Sequence, residues 1–175
     1  FYYKVTSIVA MLVTLGMTPI WSVVTKALTE KNYVWLNKLY VTIKRLGWLI
    51  VAFQFLLVPF MQYVMDFWLG KGIVIIRTET AIAFAVFGSV FVISSMLSTI
   101  VCGMARMKLQ TICYSIGVVL KLVVDFSFYK VYHHWDLIVW SNVLVLLPYI
   151  IVQIIDLNRF FKGHIKLQRY ESASC

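Results

Sequence analysis

Five apolar stretches, each long enough to cross a bilayer as a helix, alternate with connections that are by turns rich and poor in lysine and arginine. Uncharged windows cover residues 5–25, 46–65, 80–105 and 137–155, and a fifth, 109–129, is interrupted only by Lys121 and Asp125. A hydrocarbon core about 30 Å thick takes roughly 20 helical residues, so all five are of spanning length. Helices are required, because backbone groups facing lipid must be satisfied within their own segment. With 62% hydrophobic and 13% charged residues, the chain carries more apolar surface than a water-soluble core of this size could hide.

Where the cations sit gives a direction. The first connection holds Lys26, Lys31, Lys38, Lys44 and Arg45, the third holds Arg106 and Lys108, and the tail holds Arg159, Lys162, Lys166 and Arg169. Those eleven oppose only four on the other side, Lys4, Lys71, Arg77 and Lys130. The positive-inside rule makes the richer side cytoplasmic. The expectation is an all-α, polytopic transmembrane bundle with its N-terminus outside and its C-terminus cytoplasmic. Its spans are expected at about 5–28, 46–66, 79–103, 109–131 and 137–157. The net charge of +9 reads as a topology signal and not as a nucleic-acid footprint. Cys102, Cys113 and Cys175 form no CxxC pair, and no disulfide framework is implied. Opening on Phe1 with no initiator Met, residues 1–175 read as a single transmembrane domain, the C-terminal part of a longer protein.

Gly16 and Pro19 in the first span predict a bend, either static or a hinge for rocking motion, and Pro59 and Pro148 raise the same pair of readings. Asn32 is suited to cap a helix starting at Tyr33, whose Tyr33, Leu36, Tyr40 and Ile43 share one face. That segment either lies at the headgroups or continues the second span. Gly70 and Gly72 mark a short turn, and short connections favour antiparallel neighbours in one bundle.

Lys121 and Asp125 are the only charges inside a span and share one helical face. Charge at membrane depth costs at least about 2.5 kcal/mol per group on insertion scales, so the pair must neutralise itself or line a hydrophilic cavity. In such a cavity Lys121 would attract an anion and Asp125 would tune its position or bind a cation. Gln54, Gln62, Asp66, Asn142 and Gln153 read as interhelical glue or as the lining of a watery path, and Ser94, Ser95, Ser98 and Thr99 with Gly88 as small residues for close helix contact. His133, His134 and Asp136 lack the spacing of a metal site. No catalytic or phosphate-loop motif is present, so neither an enzyme nor a cofactor is expected.

Several local sequences together resemble the C-terminal half of a polysaccharide flippase of the Wzx type, within the multidrug/oligosaccharidyl-lipid/polysaccharide exporter superfamily. They are Pro19-Ile20-Trp21 followed by Ala27, Asn32 and Trp35, then Phe67-Trp68-Leu69-Gly70, then the basic loop Gly103 to Gln110. Cys102 and Ala105 stand where that family often has Asn and Gly, and Asp125 where a neutral polar residue is expected. The resemblance implies a bacterial cytoplasmic (inner) membrane protein that moves an undecaprenyl-pyrophosphate-linked oligosaccharide between leaflets by alternating access, together with N-terminal helices of the same protein. Lys121 would attract diphosphate or acidic sugar, Asp125 would position it, and Gln54 would bond to sugar. A related multidrug or lipid-precursor exporter is the alternative, and a polymerase or ligase of polysaccharide assembly a more distant one.

Overall fold

A computed structural model describes residues 2–70, 77–129 and 136–173. The described residues are helical throughout apart from short connections. The helices are α1 (Tyr2–Thr29), α2 (Tyr33–Leu57), α3 (Met61–Leu69), α4 (Thr78–Gly103), α5 (Lys108–Tyr129) and α6 (Asp136–Ala173). Five of them, all but α3, are long and apolar enough to cross a membrane. Their outward faces are apolar as well: on α5 alone Ile112, Ile116, Val119, Leu122, Val123 and Phe126 are exposed. Water would penalise that surface and lipid does not, so the chain is a multi-pass membrane protein.

α4 is the axis of the bundle, with α1, α2 and α6 packed around it. Its alanines, glycines and serines explain why. Ala81, Ala83, Ala85, Ser89 and Ser94 are all buried, and small side chains let neighbouring backbones close in where lipid offers no competing hydrophobic force. α1 answers with Ala10, Val13, Met17, Ile20, Val24 and Ala27, alternating three and four residues apart, a seam of coiled-coil spacing in which Val24 is fully buried. At the end of this seam a Cβ on Gly103 would lie 2.8 Å from Val24 Cγ1, and Thr25 donates to the Gly103 carbonyl at 3.0 Å. Residues at the two C-terminal ends meet, so α1 and α4 run parallel. The most extensive pairing is therefore between parallel helices distant in sequence and not between the antiparallel neighbours that short connections favour, although α5 and α6 do pair in that way.

Of the two readings of the segment before residue 46, the structure has the one in which it continues the second span: α2 begins at Tyr33, and it breaks at 58–60, around Pro59. Pro59 has no N–H for the Phe55 carbonyl, which takes Val58 N–H instead at 3.2 Å. Two more bonds of the same tight pitch follow, Phe60 to Leu57 and Met61 to Val58, before α3 resumes. The extension below the span is a helix because Asn32 caps it, its side chain accepting from Trp35 N–H at 3.1 Å. Its apolar face packs on protein and not on headgroups: Leu36, Tyr40 and Ile43 are buried, Tyr40 lies against Phe161 at 5.4 Å, and Tyr33 lies against His164 at 4.5 Å. α6 likewise continues well past 157 to supply that partner. Through Gly16 and Pro19 α1 runs unbroken.

The three basic segments meet at one end. Gln168 donates to the Lys31 carbonyl at 3.1 Å, and Arg106 pairs with Asp156 at 3.5 Å while its guanidinium lies 4.5 Å from the Phe160 ring centre. Two turns there share a backbone solution. After α1 and α4, Lys31 and Ala105 each take φ 54°, and the next N–H reaches back five residues, Asn32 to Ala27 and Arg106 to Val101. Gly72, His133, His134 and Cys175 lie outside the described residues, as do Lys71 and Lys130.

Candidate functional site

α5 leans on α6 and barely approaches the α4 backbone. Its tight contact is at Gly117, where a Cβ would lie 2.5 Å from Val145 Cγ1 on α6. Toward α4 it reaches with long side chains: Tyr114 and Ser94 share a hydrogen bond of 2.9 Å, and Gln110 donates to Ser98 at 2.7 Å. The result is a cleft of about 650 Å³ framed by α1, α4 and α5.

The cleft runs beside the apolar stretches of α1, α4 and α5, and its surface is mainly apolar, with seven hydroxyl-bearing residues set around it. Thr14 and Thr18 come from α1, Ser94, Ser95, Ser98 and Thr99 from α4, and Tyr114 from α5. Trp21, Phe91 and Met107 add apolar and aromatic edges. Several hydroxyls are already satisfied from their own helices, Thr14 on the Ala10 carbonyl at 2.8 Å and Thr99 on the Ser95 carbonyl at 3.1 Å, but each keeps oxygen lone pairs free to accept. Such a lining offers hydrogen bonds to a neutral polar guest and carries no formal charge.

Lys121 and Asp125 lie on the same face of α5 as Gln110 and Tyr114, the four spaced by four, seven and four residues. They do not line the cleft. Lys121 is about 20 Å along the helix from Lys108 at 1.5 Å per residue, so it belongs to the half of the bundle away from the basic end. The two charges do not neutralise each other: Lys121 Nζ donates to Asn142 Oδ1 on α6, and Asp125 Oδ1 is buried without a hydrogen-bond partner. Asn142 completes the arrangement by donating to the Ile138 carbonyl at 2.9 Å. A lysine held by a neutral amide keeps its net charge for a third group, and a carboxylate oxygen with no donor stores unmet demand.

Gln54 is elsewhere. It is buried between α2 and α4, accepts from Ser89 at 2.8 Å, and leaves its Nε2 unpartnered. Ser89 and the cleft serines sit on different faces of α4, so the fold does not bring Gln54 together with Lys121 and Asp125. Gln62 spends its amide on Asp66 within α3, at 2.9 Å. Gly16 has open space around its Cβ position, so packing does not explain a glycine there. Among the described residues no cluster of His, Cys, Asp and Glu could hold a metal ion.

Gln110, Tyr114 and the two α1 threonines are the site residues that sequence reading passed over. The 4–7–4 spacing along α5 was the available signal for the first pair; for the threonines nothing in the sequence said that α1 faces α4. No protein-family model matches the chain, and neither do the curated proteins or the solved structures.

Proposed function

We propose that this chain is part of a membrane exporter that moves a lipid-linked oligosaccharide across the bacterial cytoplasmic membrane by alternating access, as the resemblance to Wzx-type flippases implies. The observation that carries the reading is the cleft between spanning helices, mainly apolar but with hydroxyls of Thr14, Thr18, Ser94, Ser95, Ser98, Thr99 and Tyr114 around it. A flippase must hide a sugar headgroup from hydrocarbon while its prenyl tail stays in lipid, and a cleft of serine, threonine and tyrosine hydroxyls edged by Trp21 and Phe91 supplies sugar hydrogen bonds and ring-face contacts together. Ser95, Ser98 and Thr99 take the sugar-bonding role first given to Gln54. Lys121, with charge to spare beyond Asn142, receives the diphosphate in the half of the path away from the basic end, and Asp125 sets its position. That basic end faces the cytoplasm, with the N-terminus of the chain outside. Gly16 and Pro19 soften α1 where it borders the cleft, since Pro19 withholds one helical hydrogen bond and Gly16 has room to move.

Export by the intact protein in cells tests this directly. Filling the cleft with Ser98→Trp is expected to lower export at least tenfold at unchanged membrane level, and Lys121→Gln to lower it several-fold. Wild-type export by both variants rejects the reading. Lost export of a drug with sugar export intact favours a multidrug exporter instead.

A further inference from the structure

On the side of α4 away from the cleft, α2 and α6 part to leave a second groove of about 410 Å³. It is unlike the first. Val90, Ile93 and Leu97 of α4 form its floor, Leu147, Ile150 and Ile154 of α6 one wall, and α2 the other. The α2 wall is a stripe at helical spacing, Lys44, Gly47, Trp48, Val51 and Phe55, so the apolar trough has a cation at one end and hydrocarbon side chains for the rest of its length.

Three observations say what fits. The distance from Lys44 to Phe55 is eleven residues, about 16 Å at 1.5 Å per residue, close to half of a hydrocarbon core about 30 Å thick. That is the depth of one leaflet, so the groove suits a single bilayer acyl chain and is short for a polyprenyl tail. Lys44 stands at the basic end beside Arg45, and among the described residues no carboxylate forms an ion pair with it. One turn away, Tyr40 lines the same end, is only 2% exposed, and has a buried hydroxyl with no hydrogen-bond partner. A cation and an idle donor at the basic end of an apolar trough between spanning helices call for an oxyanion attached to a chain.

We propose that this groove holds an acyl chain of an anionic bilayer phospholipid, with its phosphate on Lys44 and an ester or phosphate oxygen accepting from Tyr40. The lipid fills the gap between α2 and α6 and stiffens the α2 wall up to the break at Pro59. Gly47 matters because a side chain there would project into the groove: its Cβ would find only Met96 Sδ at 3.4 Å and Ile93 Cγ1 at 3.9 Å, ordinary contacts.

The test uses the intact purified protein in detergent, with native mass spectrometry after addition of phosphatidylglycerol or phosphatidylcholine of equal chain length. The expected result is at least fivefold greater retention of phosphatidylglycerol, reduced to parity by Lys44→Gln. Gly47→Leu is expected to lower retention of both lipids while thermal unfolding and elution volume stay unchanged. Chain-brominated phosphatidylglycerol should quench tryptophan emission in the wild type more than in Trp48→Phe. Equal retention of the two lipids by the wild type, a preference that survives Lys44→Gln, or displacement of phosphatidylglycerol by equimolar undecaprenyl phosphate overturns the proposal. Export is not read in any arm, so the result stands apart from that of the transport reading.

Discussion

α4 and α5 are joined by a connection of only four residues and are both apolar enough to cross a membrane, yet they live in different surroundings. Of the most apolar stretch of α4, 61% is buried in protein, against 6% for α5. α4 holds its neighbours by close backbone approach through small residues, whereas α5 is tied to α4 by the tips of Gln110 and Tyr114. Close approach makes a rigid post, and tip contacts make a tether that can lengthen. The cleft lies between the two kinds of helix, and under the proposed transport reading α5 is the wall whose displacement loses fewest contacts with α4.

The sharpest way to break this contrast is to burden each helix at its glycine. Gly103→Ala drives a methyl against both Val24 Cγ1 and Cβ, within 2.9 Å, and Val24 has no free side on which to yield. A loss of about 2–3 kcal/mol is expected in reversible unfolding in mixed micelles. Gly117→Ala meets one methyl of the half-buried Val145, whose Cβ is 3.6 Å away, so a small shift of that side chain relieves it and about 1 kcal/mol is expected. The reverse order would mean that α5 and not α4 is the post.

Smaller still is Ser94→Ala, which removes the hydroxyl partner of Tyr114. Hydrogen bonds between membrane helices average about 0.6 kcal/mol, so global stability should hardly change while hydrogen exchange accelerates in α5 and not in α1. Equal acceleration in both helices would deny that the tether acts locally. Smallest is Ala105→Gly in the turn between the two helices. Ala105 has φ 54°, a left-handed conformation that costs an L-residue about 1–2 kcal/mol and glycine little, offset by the greater freedom glycine has when unfolded. A net gain of roughly 0.5 kcal/mol is expected, visible as a small upward shift in thermal unfolding.

How far these surroundings were written in the chain depends on what each helix packs against. Helices α1, α4 and α5 begin and end within a few residues of where hydropathy rises and falls. Hydropathy alone does not bound α2 and α6, since Lys38, Lys44 and Arg45 in one and Arg159, Lys162 and Lys166 in the other end the apolar window while the helix continues; for α2 the Asn32 cap supplied the start. Their charges project outward, and the helices persist because Tyr33 and Tyr40 pack against Phe160, Phe161 and His164. The site divided along the same line. Lys121 and Asp125 stood out by charge alone, but the pairing of Lys121 with Asn142 and the cleft depend on which helices meet, and Ser94, Ser95, Ser98 and Thr99 read as packing residues unless α5 stands off from α4. The three-and-four seam of α1 was present in the letters; only its parallel partner was not.

That seam joins positions 78 apart in the chain, as Thr25 and Gly103 show. A ribosome adding 5–20 residues per second needs roughly 4–16 s to make that much polypeptide. For that interval α1 waits in the bilayer with Ala10, Met17 and Val24 covered by lipid tails, while α2 and α3 emerge beside it. The seam thus closes only when α4 arrives, before α5 and α6 exist to pack on it, and nascent chains halted before Gly103 should be the ones that quality-control proteases clear.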